Sequence, residues 1–235
     1  MGKQDSKALW LRLRKSLPEN EVRLGTPTGQ AYVGDPKHLV FTGARYKFVA
    51  KMLAGRKSAL EIGCCDAFGS PIVAQSVGKL ICTDIDEEVL ADNRQRLKFL
   101  KNVEFKYHDF RAAAFPRRVD AVFHVDVLEH IFAREEGRFM RHIVQSLNPH
   151  GIMVVGTPSI TGDAYASKYS RIGHINLKDH RTLRQTCEEH FHNVFIFSMN
   201  DEVVHTGFYP MAHYLWALCT ESRAAAPPKR RKRSA

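Results

Sequence analysis

Long apolar runs are missing from this 235-residue chain, and no stretch approaches the roughly 18 consecutive apolar residues that read as a membrane span. The first residues, MGKQDSKALWLRLRKSL, are charged throughout and lack an apolar run followed by a small-residue cleavage site. That pattern argues against a secretory leader. Cysteine is sparse: Cys64, Cys65, Cys82, Cys187 and Cys219 form no spaced framework. Adjacent cysteines suit neither a mutual disulfide nor a zinc site, so reduced thiols and a cytoplasmic location are the expectation. Acidic residues are outnumbered, 25 against 35 basic ones, for a net charge of +10. Half of that excess is the run Lys229, Arg230, Arg231, Lys232 and Arg233. A terminal charge run is ordinarily a solvated tail, which ranks nucleic acid behind other partners. Internal repeats are absent too.

What is present describes an enzyme-sized globular chain. It is 44% apolar and 26% charged, long enough to bury a real core as one domain. Residues 1–34 read as an N-terminal arm, irregular around Gly25, Thr26, Pro27, Thr28 and Gly29, although the first residues could form a short amphipathic helix resting on the domain, the preferred reading, or on a partner. Asp35-Pro36 then predicts a helix start, with the helix running to about Leu53. From Ser58 short β-branched or apolar runs alternate with helical patterns. Strands are predicted at 59–63, 79–83, 103–107, 121–125 and 152–156, with helices near 71–77, 87–100 and 134–147. Another helix at about 181–190 and strands at 194–198 and 212–218 complete a domain over 35–222. Residues 223–235 read as a disordered basic tail. Such alternation implies βαβ units and a mainly parallel sheet.

The strongest local feature is Leu60-Glu61-Ile62-Gly63-Cys64-Cys65-Asp66-Ala67-Phe68-Gly69, an apolar strand ending in an acidic residue and a glycine turn. At the carboxyl edge of a parallel strand such a turn is where nucleotide-like ligands sit, because glycine lets the ligand approach the backbone. The second strand ends in Asp84-Ile85-Asp86, about 20 residues after Gly63, where a carboxylate can accept both ribose hydroxyls. Asp86 reads as a helix cap. A nicotinamide dinucleotide fits poorly, since G-x-G-x-x-G would need glycine where Cys65 and Phe68 stand. Asp109-Phe110, after the third strand, offers a carboxylate for an adenine amino group and a ring beside the base. After the fourth comes Asp126-Val127-Leu128-Glu129-His130, a turn bearing carboxylates and an imidazole.

On these residues the chain resembles the class I S-adenosylmethionine-dependent methyltransferases from about Ser58 to Leu218. Leu60-Glu61-Ile62-Gly63 is similar to their first motif, Asp84 to their ribose acid and Asp109 to their adenine-binding acid. The segment 126–130 is similar to the fourth motif of the branch holding many small-molecule methyltransferases. The resemblance implies S-adenosyl-L-methionine as cofactor and an α/β, Rossmann-like seven-stranded mixed sheet, its last strand antiparallel, with helices on both faces. It places Arg45, Glu61, Gly63, Cys65, Asp84, Ile85, Asp109, Phe110, Asp126 and His130 at the cofactor, Arg45 being a candidate for the methionine carboxylate. Cys65 and Ala67 depart from the family's later glycines.

For the acceptor, the segment SITGDAYASKYSRIGHINLK is long enough to form a lid, and Tyr165, Tyr169, His174 and Ile175 argue for its being ordered. The polar stretch around Asp201, Glu202 and His205 is the second candidate. The expected catalytic residues are His174 or His205 as base, with Asp201 orienting it or the acceptor. No metal is expected, because adjacent Asp201 and Glu202 diverge and their spacing to His205 matches no established motif. The reading is methyl transfer to a small polar or glycan-type acceptor, at oxygen. An RNA or protein methyltransferase using the basic tail, and a non-catalytic binding member of the fold, stand as alternatives.

Overall fold

The computed structural model describes residues 5–223. In chain order its elements are α1 (Ser6–Ser16), α2 (Thr26–Gly34), α3 (Lys37–Met52), β1 (Ser58–Ile62), α4 (Ser70–Ala74), β2 (Lys79–Asp84), α5 (Glu87–Arg96), β3 (Val103–Tyr107), β4 (Val119–Val125), α6 (Ala133–Gln145), β5 (Leu147–Pro158), α7 (Lys168–Gly173), α8 (His180–Glu188), β6 (Phe191–Asn200), β7 (Val203–His205) and β8 (Tyr214–Ser222). The strands form one sheet in the order β3-β2-β1-β4-β5-β8-β6-β7. Strands β1 to β5 pair in parallel, and β8 inserts antiparallel between β5 and β6. This is the expected Rossmann-like sheet with an antiparallel last strand. It has eight strands rather than seven because the polar stretch after β6 folds back as the short β7.

Both faces are covered. Leu60, Ile62, Val122 and Val155 pack with Phe139, Met140 and Ile143 of α6 and with Leu183 and Cys187 of α8. Ala59, Leu80, Phe123 and Val154 pack on the other side with Val49 of α3, Val73 of α4 and Leu90 of α5. Burial on two sides is why the parallel strands read as near-continuous apolar runs. No helix among the described residues is long and apolar enough to cross a membrane.

The N-terminal segment differs from the irregular arm expected. Asp5 caps α1 by accepting from the Lys7 N–H at 3.1 Å. None of its residues is buried, and Trp10 is 60% exposed, so α1 does not rest on its own domain. By contrast α2 is docked on the turn after β1. The Thr28 N–H and hydroxyl donate to the two oxygens of buried Asp66 at 2.8 and 2.9 Å. A Cβ at Gly25 would lie 2.3 Å from the Asp66 Cβ, so only glycine permits that approach. The domain therefore begins before residue 35. At the other end Arg223 is tied down, its N–H donating to the His190 carbonyl at 2.7 Å. The remainder of the expected tail, with its basic run, lies outside the described residues.

Candidate functional site

The turn after β1 adopts left-handed backbone at three positions: Gly63 (φ 69°), Cys65 (φ 46°) and Ala67 (φ 54°). Only the first carries a glycine. A left-handed L-residue costs about 1–2 kcal/mol, so surrounding structure must impose the conformation. It does so through α5: Asn93 donates to the Cys65 carbonyl at 2.6 Å and Arg96 to the Asp66 carbonyl at 2.7 Å. The Cys65 N–H donates to Asp84 Oδ2 at 2.8 Å. The turn keeps its glycine-like shape without its glycines. Ala67→Gly is accordingly expected to be neutral or to stabilise by up to about 1 kcal/mol, since relief of strain competes with added chain entropy. Gly63→Ala, whose Cβ would lie 2.5 Å from Val127 Cγ2, should destabilise by at least about 2 kcal/mol. Urea unfolding of both variants checks the pair.

Beside this turn, at the carboxyl ends of β1 to β4, lies a crevice of about 340 Å³. Eight of the ten residues expected at the cofactor line it: Gly63, Cys65, Asp84, Ile85, Asp109, Phe110, Asp126 and His130. Asp84 Oδ1 accepts from the Ile85 and Asp86 N–H groups at 2.7 and 3.1 Å, which fixes the carboxylate at the mouth of β2. Asp86 caps α5 as expected, accepting from Glu88 and Val89. Asp109 is held by Arg111, which donates from Nε and a terminal nitrogen at 3.0 and 2.9 Å. Those hydrogen bonds keep its carboxyl below the usual range. Phe110 lies in the crevice floor and is only 2% exposed, packed edge-on to Phe139.

The other two expected cofactor residues behave differently from each other. Glu61 does not line the crevice. Its strand position turns it to the α3 face, where it accepts from Tyr46 at 2.9 Å, Ser70 at 2.6 Å and Cys82 at 3.2 Å. It is a buried brace, and burial raises its pKa against those donors. Arg45 is not on a helix surface. Its guanidinium donates to Asp126 Oδ2 at 2.8 Å and lies 3.9 Å from the centroid of the Tyr214 ring. Around that pair several buried polar atoms have no protein partner: Arg45 Nε, Asp126 Oδ1, Glu129 Oε1 and the Tyr214 hydroxyl. Unsatisfied buried groups are costly, and their gathering at the end of a crevice is what a ligand site looks like without its ligand.

Of the expected catalytic residues, His174 stands beside His130 of the crevice. The segment after β5 is ordered by main-chain ties rather than by burying its apolar side chains. The Ile175 and Asn176 N–H groups donate to the Glu129 carbonyl at 2.9 and 3.0 Å, and Lys178 pairs with Glu136 at 2.7 Å. Tyr165, in contrast, is 91% exposed. These ties set the His174 ring 5.3 Å from that of His130. Burial, then the neighbouring imidazole, lowers the His174 pKa. Asp201 and His205 stand on the β6–β7 hairpin, where the Asp201 N–H donates to the His213 ring. Both His205 ring nitrogens are engaged there, with Asn200 at 2.9 Å and the Gly207 N–H at 3.0 Å.

His213 is the residue that sequence reasoning passed over. It precedes β8, its Nε2 accepts from the Asp201 N–H at 3.2 Å, and its pKa is lowered by burial and by the charge of Arg45. Nothing in its local sequence marks it, since strand pairing alone brings residue 213 beside the loop after β5. Ile62, His108, Arg111, Val127, Ile131 and, from α6, Phe139 complete the crevice wall. All but Phe139 stand within or next to recognised motifs, and their proximity was a usable signal.

Residues 60–155 match the family model described as a methyltransferase domain. A protein of Mycolicibacterium smegmatis described as "Probable S-adenosylmethionine-dependent methyltransferase" is 29% identical over 115 residues. The match covers 48% of this chain and 42% of that protein, so the chain spans under half the length of this curated relative. Among solved structures, the N-methyltransferase NodS of Bradyrhizobium japonicum with S-adenosyl-l-homocysteine superposes with a TM-score of 0.58 at 16% identity, covering 77% of this chain and 85% of its own. A DhpI–SAH complex gives 0.61 at 15%, covering 82% and 90%. The crevice fits such a ligand: a glycine cradle closed by Val127, a carboxylate at the end of β2, apolar walls and no phosphate-binding glycine run. Residues 60–155 thus match a methyltransferase domain, and in sheet order and crevice the chain is similar to class I S-adenosylmethionine-dependent methyltransferases.

Proposed function

We propose that the whole chain is a methyltransferase that transfers the methyl group of S-adenosylmethionine to a hydroxyl oxygen of a small polar or glycan-type acceptor. The observation that carries the reading is the crevice, which sets Asp84, Asp109 and the Arg45–Asp126 pair along one line of strand ends. Asp84 takes the ribose hydroxyls, the Asp109 loop faces the base, and the orphaned atoms of Arg45 and Asp126 meet the methionine carboxylate and amino groups. The cofactor supplies an electrophilic methyl on a sulfonium sulfur. What remains for the chain is to align nucleophile, carbon and sulfur and to keep water out.

The segment 159–178 serves as the cover over the acceptor, because its C-terminal part is fastened to Glu129 and Glu136 beside the crevice. A hydroxyl acceptor must also lose its proton, and His174 assists that loss, since burial lowers its pKa and favours the neutral imidazole. His174→Ala should lower turnover about 10²–10⁴-fold and leave cofactor affinity intact. Asp201→Ala and His205→Ala should turn over close to wild type. The measurement is transfer from methyl-labelled donor into fractionated cell extract, which also reports whether label enters metabolites, glycans, RNA or protein. Unchanged turnover in His174→Ala would remove that residue from the reaction, and label confined to RNA or protein would overturn the acceptor class.

A further inference from the structure

At the acceptor end of the crevice one carboxylate and two imidazoles converge. Ligand atoms of Glu129, His130 and His174 all lie within 4.8 Å of one another. We propose that these three residues bind a divalent first-row transition-metal ion. The role assigned to the ion rests on the methyl-transfer reading, but the binding itself does not.

Three features beyond proximity support the site. Glu129 is fully buried, yet its Oε1 has no protein partner, while Oε2 accepts from the Thr157 hydroxyl at 3.1 Å. A carboxylate steadied on one oxygen and bare on the other is prepared for a cation. His130 Nδ1 lies 2.8 Å from the Gly173 carbonyl, an acceptor, so Nδ1 carries the proton and Nε2 presents its lone pair. That outer hydrogen bond is the usual way a ligating imidazole is fixed in tautomer and direction. His174, finally, is delivered by the chain that closes on the Glu129 carbonyl, so the third ligand is linked through the backbone to the first. Asp126 is not counted, because Arg45 already neutralises it.

The donor set selects the metal class. Two imidazole nitrogens and one carboxylate oxygen suit zinc, cobalt, manganese or iron in the divalent state, whereas calcium and magnesium prefer all-oxygen shells. The donor atoms lie within 4.8 Å of one another, and rotation of the accessible His174 imidazole can close them to metal–ligand bonds of about 2.0–2.2 Å while the Gly173 carbonyl keeps hold of His130. Three protein ligands leave positions open to water or an acceptor oxygen. His174 then assists through the ion: its positive charge favours release of the hydroxyl proton to solvent. The O–CH₃ bond forms as the S–CH₃ bond breaks, and sulfur keeps the electron pair.

The test uses the purified full-length chain, stripped with a chelator, and titrated with Zn²⁺ by calorimetry and with Co²⁺ by visible absorption. One ion should bind per chain. His130→Ala and His174→Ala, both at accessible positions, should weaken binding at least about 100-fold, and Glu129→Gln should do the same if it folds. His205→Ala should leave binding unchanged. No uptake, or uptake that survives the His130→Ala/His174→Ala double substitution, would overturn the site. S-adenosylmethionine binding measured on the same samples separates the two readings. Metal uptake without cofactor binding upholds the site and defeats the methyl-transfer reading, and cofactor binding without metal uptake does the reverse.

Discussion

Asp84→Ala is expected to weaken binding of S-adenosylmethionine and of its demethylated product by about 10²–10³-fold. The carboxylate would accept two ribose hydroxyls, and hydrogen bonds to a charged group contribute about 1.5–3 kcal/mol each. Because Asp84 also accepts the N–H groups of Cys65, Ile85 and Asp86, its loss slackens the turn that cradles the ligand. Asp86→Ala is the control. It removes only the cap of α5, costs about 1 kcal/mol of stability, and should leave affinity unchanged. Calorimetry for affinity and thermal melting for stability distinguish the two variants. An unaltered Asp84→Ala titration would mean that the crevice does not hold a nucleoside in this way, and the functional reading would fall with it.

His124→Leu should stabilise the protein, increasingly so as pH falls. His124 lies on β4 facing α6, fully buried against Phe139, with neither ring nitrogen hydrogen-bonded by protein. Burial alone pushes its pKa down to about 3. The unfolded chain, with an ordinary histidine pKa near 6.5, binds this proton while the folded chain refuses it. Stability attached to the residue is therefore intact above pH 6.5 and is lost as pH falls toward 3, at about 1.4 kcal/mol per pH unit. Relative to wild type, the leucine variant should gain about 1–3 kcal/mol at pH 7 from removing unpaired polar atoms. By pH 4.5 it should gain roughly 3 kcal/mol more. Glu61, with its raised pKa, acts oppositely: its contribution is whole below the ordinary glutamate pKa near 4.5 and lost as pH rises through the higher folded value. Comparing variant with wild type at each pH cancels that term. A constant difference between the two urea midpoints from pH 7 to 4.5 would refute the assignment.

The sheet was legible because its signal is local. Alternating apolar runs and helical patterns mark parallel strands and crossovers whatever they pack against, and the motifs at Gly63, Asp84, Asp109 and Asp126 fall where strand ends must. The misreadings share a cause. Glu61 stands next to the crevice in sequence but points through the sheet to Tyr46 and Ser70, because side chains alternate along a strand. Asp201, Glu202 and His205 form a polar cluster on paper, yet Asp201 and Glu202 make the hairpin turn and His205 ends the short edge strand, its ring held by Asn200 and Gly207. The N-terminal arm held proline, threonine and glycine and read as irregular, whereas Gly25 and Thr28 are there to meet Asp66.

By itself, then, the sequence determined the strands up to β5 and the turns at their ends that carry the nucleoside-binding edge, since each is marked by a local pattern. Tertiary structure alone decided that Arg45 from α3 would neutralise Asp126, that His213 would come within reach of the Arg45 charge, and that a loop some 40 residues downstream would lay His174 against Glu129 and His130. Those meetings depend on where distant segments close, with main-chain hydrogen bonds such as those to the Glu129 carbonyl fixing the result. No spacing rule along the chain encodes a closure of that kind.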